Sequence, residues 1–222
     1  MKPDMIPSGM SLNDLHVQLR LEKCGACKLG QHPALIGPVL SQGSAKIPVM
    51  FLGEAPGKDE DATGLPFVGK AGKLLDDWLG YQDIDRNDVY ITNCIKCRPI
   101  ATPGSGKQNN TPGIEEIRTC KPYLLHEIQM IQPKLIVTLG MSALKATLTG
   151  DIEKITSLKQ LVGKFYISTS KNRCRIPPGI VFYPTYHPAA FLHTRNEGMK
   201  EEMTILVKDH FKQIKEAINE LQ

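Results

Sequence analysis

An α/β fold around a central, mainly parallel sheet of four strands is what this sequence predicts, on three observations. Four short apolar runs, at 49–52, 89–92, 135–139 and 180–183, are rich in Val, Ile and aromatic residues, the composition of strands buried on both faces. Each run ends in a turn signal. Stretches with helical spacing separate the first three runs, and strand–helix–strand alternation makes a parallel sheet with crossovers.

The elements follow in order. Residues 11–23 read as a helix leading into the first cysteines. Residues 70–79 carry Ala71, Leu74, Leu75, Trp78 and Leu79 at helical spacing. A helix over 114–131 follows, with Thr111-Pro112 as its cap and first turn. A further helix is predicted over 142–148. A closing amphipathic helix spans 204–221, with Ile205, Phe211, Ile214, Ile218 and Leu221 on one face. Residues 100–110, rich in Gly, Pro, Thr and Asn, predict a mobile surface loop. Nothing repeats, so one domain is expected over 1–222, with 1–23 as an N-terminal helical segment.

Composition narrows the class. Hydrophobic residues make up 41% of the chain, which fits a globular protein and not a disordered one. No apolar run approaches the roughly 18 residues of a membrane span. Residues 1–10 lack the charged-then-apolar pattern of a secretory signal, so an intracellular protein is expected. The net charge of +4 is a mild bias, but it is unevenly placed. Lys96, Arg98 and Lys107 fall in one acid-free segment, and Lys164, Lys171, Arg173 and Arg175 in another. Such segments suit phosphates, or are simply solvated lysines.

In open parallel sheets, ligands bind beyond the carboxyl ends of the strands. That rule nominates Gly53-Glu54-Ala55-Pro56-Gly57, Asn93, Gly140, and Pro184 through His187-Pro188. Small residues at 53–57 let the backbone approach a ligand. Phe67, within Gly-Leu-Pro-Phe-Val-Gly at 64–69, is either a stacking platform or a core residue. Asn93 presents a donor beside an acceptor. Uracil offers the complement, an N3–H donor and an O4 acceptor, whereas cytosine reverses the pattern; the alternative is an Asn capping a turn. His187 stands at the same edge, as a working imidazole or a buried structural one.

Six cysteines in a chain expected to be intracellular argue for metal or catalysis over a disulfide framework. Cys24 and Cys27 form a Cys-x2-Cys pair, as do Cys94 and Cys97, while Cys97-Arg98-Pro99 and Cys120-Lys121-Pro122 share a Cys-basic-Pro pattern. Spacing leaves two sets open. One is a four-thiolate zinc site of Cys24, Cys27, Cys94 and Cys97. The other is an iron–sulfur site of Cys24, Cys27, Cys97 and Cys120. Cys174 stands alone.

Together, Gly-Glu-Ala-Pro-Gly at 53–57, Glu60-Asp61, Gly-Leu-Pro-Phe-Val-Gly at 64–69, Ile-Thr-Asn at 91–93, Lys-Cys-Arg-Pro at 96–99 and Tyr-His-Pro-Ala-Ala at 186–190 resemble the family 4, iron–sulfur uracil-DNA glycosylases. The resemblance runs from about Cys24 to the final helix. It implies a three-layer α/β/α fold and an enzyme of base excision repair, a monofunctional hydrolase that frees uracil and leaves an abasic site. Its partner would be uracil-containing DNA, single- or double-stranded, and the protein a monomer with no membrane contact. Carried over, Cys24, Cys27, Cys97 and Cys120 would hold a [4Fe-4S] cluster. Phe67 would stack on the flipped base and Asn93 read its edge, with Gly53 and Ala55 shaping the pocket. Glu54 and Glu60 would position water or shape the pocket, and His187 would stabilise the departing base. Ala189, Ala190, Phe191 and Leu192 would form the loop that wedges into the duplex. Ala55 stands where a sister family places a catalytic Asp.

Overall fold

The computed structural model describes residues 6–221 except 8, 23, 103, 107, 148–156 and 170–175. Lys107, Leu148, Lys171, Arg173, Cys174 and Arg175 therefore lie outside the described residues. The elements run α1 (Leu12–Glu22), β1 (Val49–Gly53), α2 (Lys58–Thr63), α3 (Lys70–Gly80), β2 (Tyr90–Asn93), α4 (Ile114–Ile131), β3 (Leu135–Leu139), α5 (Met141–Thr147), β4 (Tyr166–Ile167), β5 (Val181–Thr185), α6 (Pro188–His193) and α7 (Glu197–Leu221).

The strands form one sheet in the order β2-β1-β3-β5-β4. The first four are parallel, and the two-residue β4 pairs antiparallel with β5 at the edge. The four-stranded expectation thus gains a fifth strand, too short to show a period-2 pattern. The strands are buried on both faces because their side chains alternate between two cores. Met50 and Leu52 join α1, α4 and α5 on one face, while Val49 and Phe51 join α3, α6 and α7 on the other. Helices on both faces of a parallel sheet make the three layers.

Departures from the expected boundaries have local causes. β5 continues through Pro184, which pairs with Thr138 and whose carbonyl accepts from the Gly163 N–H, 3.0 Å away. A proline there removes a donor but not the acceptor. Gly113, not Thr111-Pro112, is the N-cap of α4. α7 begins at Glu197, seven residues before the expected start; its added turns carry exposed Met199, and Ile205, expected on the apolar face, is itself exposed. The 100–110 loop closes on itself through an isolated bridge from Ile100 to Asn109.

The chain leaves β1 towards β2 on one side and later returns to β3 on the other side of β1. That reversal opens a crevice at the carboxyl ends of β1 and β3.

Candidate active site

Four strand ends meet in that crevice. Gly53 closes β1 and has no room for a side chain: a Cβ there would collide with Asn93 Oδ1 and with the ring of Phe67. Gly140, at φ +89°, turns β3 into α5, and a Cβ on it would sit 3.1 Å from His187 Cβ. The Phe67 and His187 rings lie 5.7 Å apart at 31°. Two glycines thus admit an amide, an aromatic plate and an imidazole to one place. Phe67 is buried, 6% exposed, with one edge of its ring packed over Gly53.

Asn93 is buried, and its Oδ1 has no hydrogen-bond partner. An unsatisfied buried acceptor costs about 1–3 kcal/mol, so native structures rarely keep one without use.

Phe67 sits at φ +53°, in the left-handed region, a conformation that costs roughly 1–3 kcal/mol and needs its surroundings to hold it. Three neighbours do so. Glu60 Oε1 accepts from the N–H groups of Val68 (3.0 Å) and Gly69 (2.8 Å), and its Oε2 from Gly57 N–H at 3.0 Å. Arg86 donates to the Pro66 carbonyl at 2.7 Å. Gly72, in α3, lets the helix lie directly on the Phe67 backbone. Glu60 therefore spends its carboxylate on backbone amides. Asp61 is spent likewise on Ile36 N–H at 3.1 Å and Gly37 N–H at 3.4 Å.

Glu54 lies one residue beyond β1, and its Oε2 accepts from Ser142 Oγ at 2.7 Å. This bond spans the β1–β3 crevice. The sequence reading used Ser142 only as a helix start; its position just after the Gly that ends the third strand was the available signal. Arg86, remote from every motif, had none. Ala55 packs against the α1–α4 core instead.

His187 caps α6, and its Nδ1 accepts from Ala189 N–H at 3.1 Å. An acceptor Nδ1 leaves the proton of the neutral ring on Nε2. Burial lowers the imidazole to a pKa of about 4, because a charged ring is poorly solvated there. The neutral tautomer with a donating Nε2–H is the ground state. Residues 189–192 are not an open loop: they form most of α6. Phe191 is buried edge-on to Trp78, 4.9 Å between centroids, while Leu192 is 48% exposed.

On the α1–α4 side of the sheet, Cys24, Cys27, Cys97 and Cys120 line one cavity with Leu19, Ala26 and Tyr123. Cys94 does not join them; its Sγ donates to the Glu54 carbonyl at 3.1 Å. Among the described residues, no three His, Cys, Asp or Glu groups are set to share a single metal ion. The Lys96 N–H donates to Cys120 Sγ at 3.3 Å. Burial raises the Cys120 thiol to about 12 and raises the Cys97 thiol too, with neighbouring thiols adding to the rise at Cys97. Four thiols lining one cavity, three of them buried and Cys27 half-buried, are a donor set suited to a cationic group.

In the first basic segment, the described cations Lys96 and Arg98 are both bonded within the protein. Lys96 is buried and bound to Glu127 Oε2 at 2.6 Å. Burial alone would raise the Glu127 carboxyl; Lys96 overcomes it and holds the group low. Arg98 donates to Asn109 Oδ1 at 2.7 Å and to the Gln108 carbonyl at 3.1 Å, tying the base of the 100–110 loop. Of the second segment, Lys164 is described, exposed, and bonded to the Gln160 carbonyl at 3.3 Å.

An aromatic ring, a buried amide oxygen without a partner and a donor imidazole, gathered at the switch point of a parallel sheet, mark an α/β protein whose site groups suit a planar hydrogen-bonding ligand. The uracil DNA glycosylase superfamily model matches residues 40–221. The curated relatives include type-4 uracil-DNA glycosylases. That of Sulfurisphaera tokodaii is 38% identical over 194 residues, 87% of this chain and 79% of its own length. That of Saccharolobus solfataricus is 36% identical over 203 residues, 90% and 83% of the two chains. That of Thermotoga maritima is 36% identical over 184 residues, 83% and 85%. The chain belongs to the uracil-DNA glycosylase superfamily and, within it, to the type-4 family.

Proposed function

We propose that this chain is a monofunctional uracil-DNA glycosylase, hydrolysing the bond between uracil and deoxyribose in DNA and leaving an abasic site. The observation that carries this reading is the buried, unpartnered Oδ1 of Asn93, gathered with the Phe67 ring over Gly53.

A base within a duplex is out of reach, so the enzyme acts on a flipped nucleotide. Phe67 stacks on it, which offsets part of the few kcal/mol of unstacking. Asn93 Oδ1 accepts the N3–H of uracil, and its amide N–H donates to O4. Cytosine brings a lone pair to N3 and a donor to the neighbouring carbon, so both contacts turn repulsive. As the glycosidic bond lengthens, the sugar takes on oxocarbenium character and the base becomes an anion. His187 Nε2–H, already present on the neutral ring, donates to O2 as that charge grows. Glu54, held through one oxygen by Ser142, orients with the other the water that attacks C1′. Glu60 is a positioning residue for the Phe67 turn. Within 189–192, exposed Leu192 is the side chain suited to enter the duplex.

Cys24, Cys27, Cys97 and Cys120 would hold a [4Fe-4S] cluster, which when bound supplies a structural cross-link between the chain segments that carry these cysteines. The support is that the four line one cavity and that Cys94 is turned to a carbonyl.

The test is uracil release from single- and double-stranded oligonucleotides. Free uracil with an intact abasic strand is expected, with no adduct after borohydride. Binding without release would make the protein a reader of uracil and refute the enzyme reading. A borohydride-trapped adduct would refute the monofunctional one.

A further inference from the structure

A buried polar network lies behind Asn93, and the mechanism above does not use it. Lys96 Nζ donates to the Asn93 backbone carbonyl at 2.9 Å, to Thr92 Oγ1 at 2.6 Å and to Glu127 Oε2 at 2.6 Å. Thr92 Oγ1 in turn lies 3.2 Å from both Glu127 oxygens. His16 Nε2 stands 3.9 Å from Glu127 Oε1 and 3.2 Å from Ser41 Oγ. Lys96 and Glu127 are almost fully buried, with side chains 3% and 2% exposed. Buried pairs of this kind are often no more stabilising than apolar residues of the same volume, so bulk stability is a poor explanation for this one. Its placement supplies another. The ammonium folds back over the end of β2 onto the peptide of Asn93, whose buried side-chain Oδ1 has no partner. The same Lys96 gives its backbone N–H to Cys120 Sγ.

We propose that Lys96, clamped by Glu127, is a positioning residue for base recognition: it fixes the Asn93 peptide so that the side-chain amide presents its acceptor to uracil N3–H. Through its backbone it also ties that amide to the cysteine-lined cavity. This inference rests on the uracil-recognition reading of Asn93.

The experiment compares binding of two oligonucleotides, one with a non-hydrolysable 2′-fluoro-deoxyuridine and one with deoxycytidine at the same position. The wild-type protein should prefer the uracil strand; an absent preference would sink the recognition reading itself, whatever Lys96 does. Given that preference, Lys96→Met with Glu127→Gln, which leaves no buried charge unpaired, should cut the uracil-over-cytosine ratio roughly tenfold, the scale of coupling between contacting residues. Brown colour and cooperative melting should persist, since the backbone N–H to Cys120 remains. In an Asn93→Ala background the same pair of changes should move the ratio by less than about twofold, because they act through Asn93. A ratio unchanged in the Asn93 protein, or an effect that adds in full to that of Asn93→Ala, would overturn the proposal. If the double variant does not fold, Thr92→Val is the substitute. It removes one Lys96 partner and should shift the ratio in the same direction by a smaller factor, and an unchanged ratio there overturns the proposal equally.

Discussion

His187 and Asn93 show how much a residue's neighbours decide about its chemistry. The Ala189 N–H fixes the imidazole tautomer, and burial keeps the ring neutral with a pKa of about 4. Removing a preorganised donor to a developing anion lowers kcat by roughly 100- to 1,000-fold. His187→Ala should therefore lose that much in single-turnover uracil release while KM changes little, and an equal rise in KM would show that His187 serves binding instead. The pH dependence has a definite sign. With the folded pKa below the ordinary value of about 6.5, the unfolded chain binds a proton that the folded chain refuses. Stability should fall as pH drops from about 6.5 through 4, and buried His210, lowered for the same reason, adds to the effect. The rate should show no step near 6.5; NMR titration of the His187 ring should inflect near 4.

At the scale of the element, α2 and the turn after it form a clamp around a strained phenylalanine. Glu60 meets three backbone N–H groups with two oxygens, a task that Gln cannot repeat because its NH2 faces donors. Glu60→Gln should destabilise the fold by about 1–3 kcal/mol, visible as a lower Tm, and raise KM as Phe67 loses its held position. If Tm and KM stay put while kcat collapses, Glu60 is a catalytic group and not a brace. Gly53→Ala should abolish uracil release while the sheet survives, since its methyl enters the space shared by Asn93 and Phe67; far-ultraviolet circular dichroism and a uracil-release assay test both halves. The strands and the long helices were readable from apolar runs and helical spacing, because both patterns are local. α2 and α6 were not: each is six residues long and carries too few apolar positions to show a period. The loop expected over 189–192 came from the family resemblance alone, and the structure makes those residues most of α6, with Phe191 packed on Trp78.

Across the whole molecule, the two sides of the sheet hold different devices. Phe67, Asn93 and His187 gather at the carboxyl edge, and the cysteine cavity lies under α1 and α4, with β2 and Lys96 between them. Cys97→Ala or Cys120→Ala should cost brown colour and cooperative folding together. Cys94→Ala should keep both, because its thiol only donates to the Glu54 carbonyl. Absorption spectra and thermal melts on the three variants decide, and loss of colour in Cys94→Ala alone would reverse the ligand choice. No helix among the described residues is long and apolar enough to cross a membrane.

By itself the sequence determined the kind of sheet, the strand ends where a ligand must sit, and the residue types gathered there. These follow from local periodicity and from the rule that crossovers leave the carboxyl edge open. Only the tertiary structure decided what each of those side chains is free to do. It took Glu60 and Lys96 out of solvent contact and into braces, turned Cys94 from its neighbours, added Ser142 and Arg86, and left one amide oxygen unanswered. Hydrogen-bond partners from segments far apart in the chain settle such matters, and no spacing along one strand or helix encodes them.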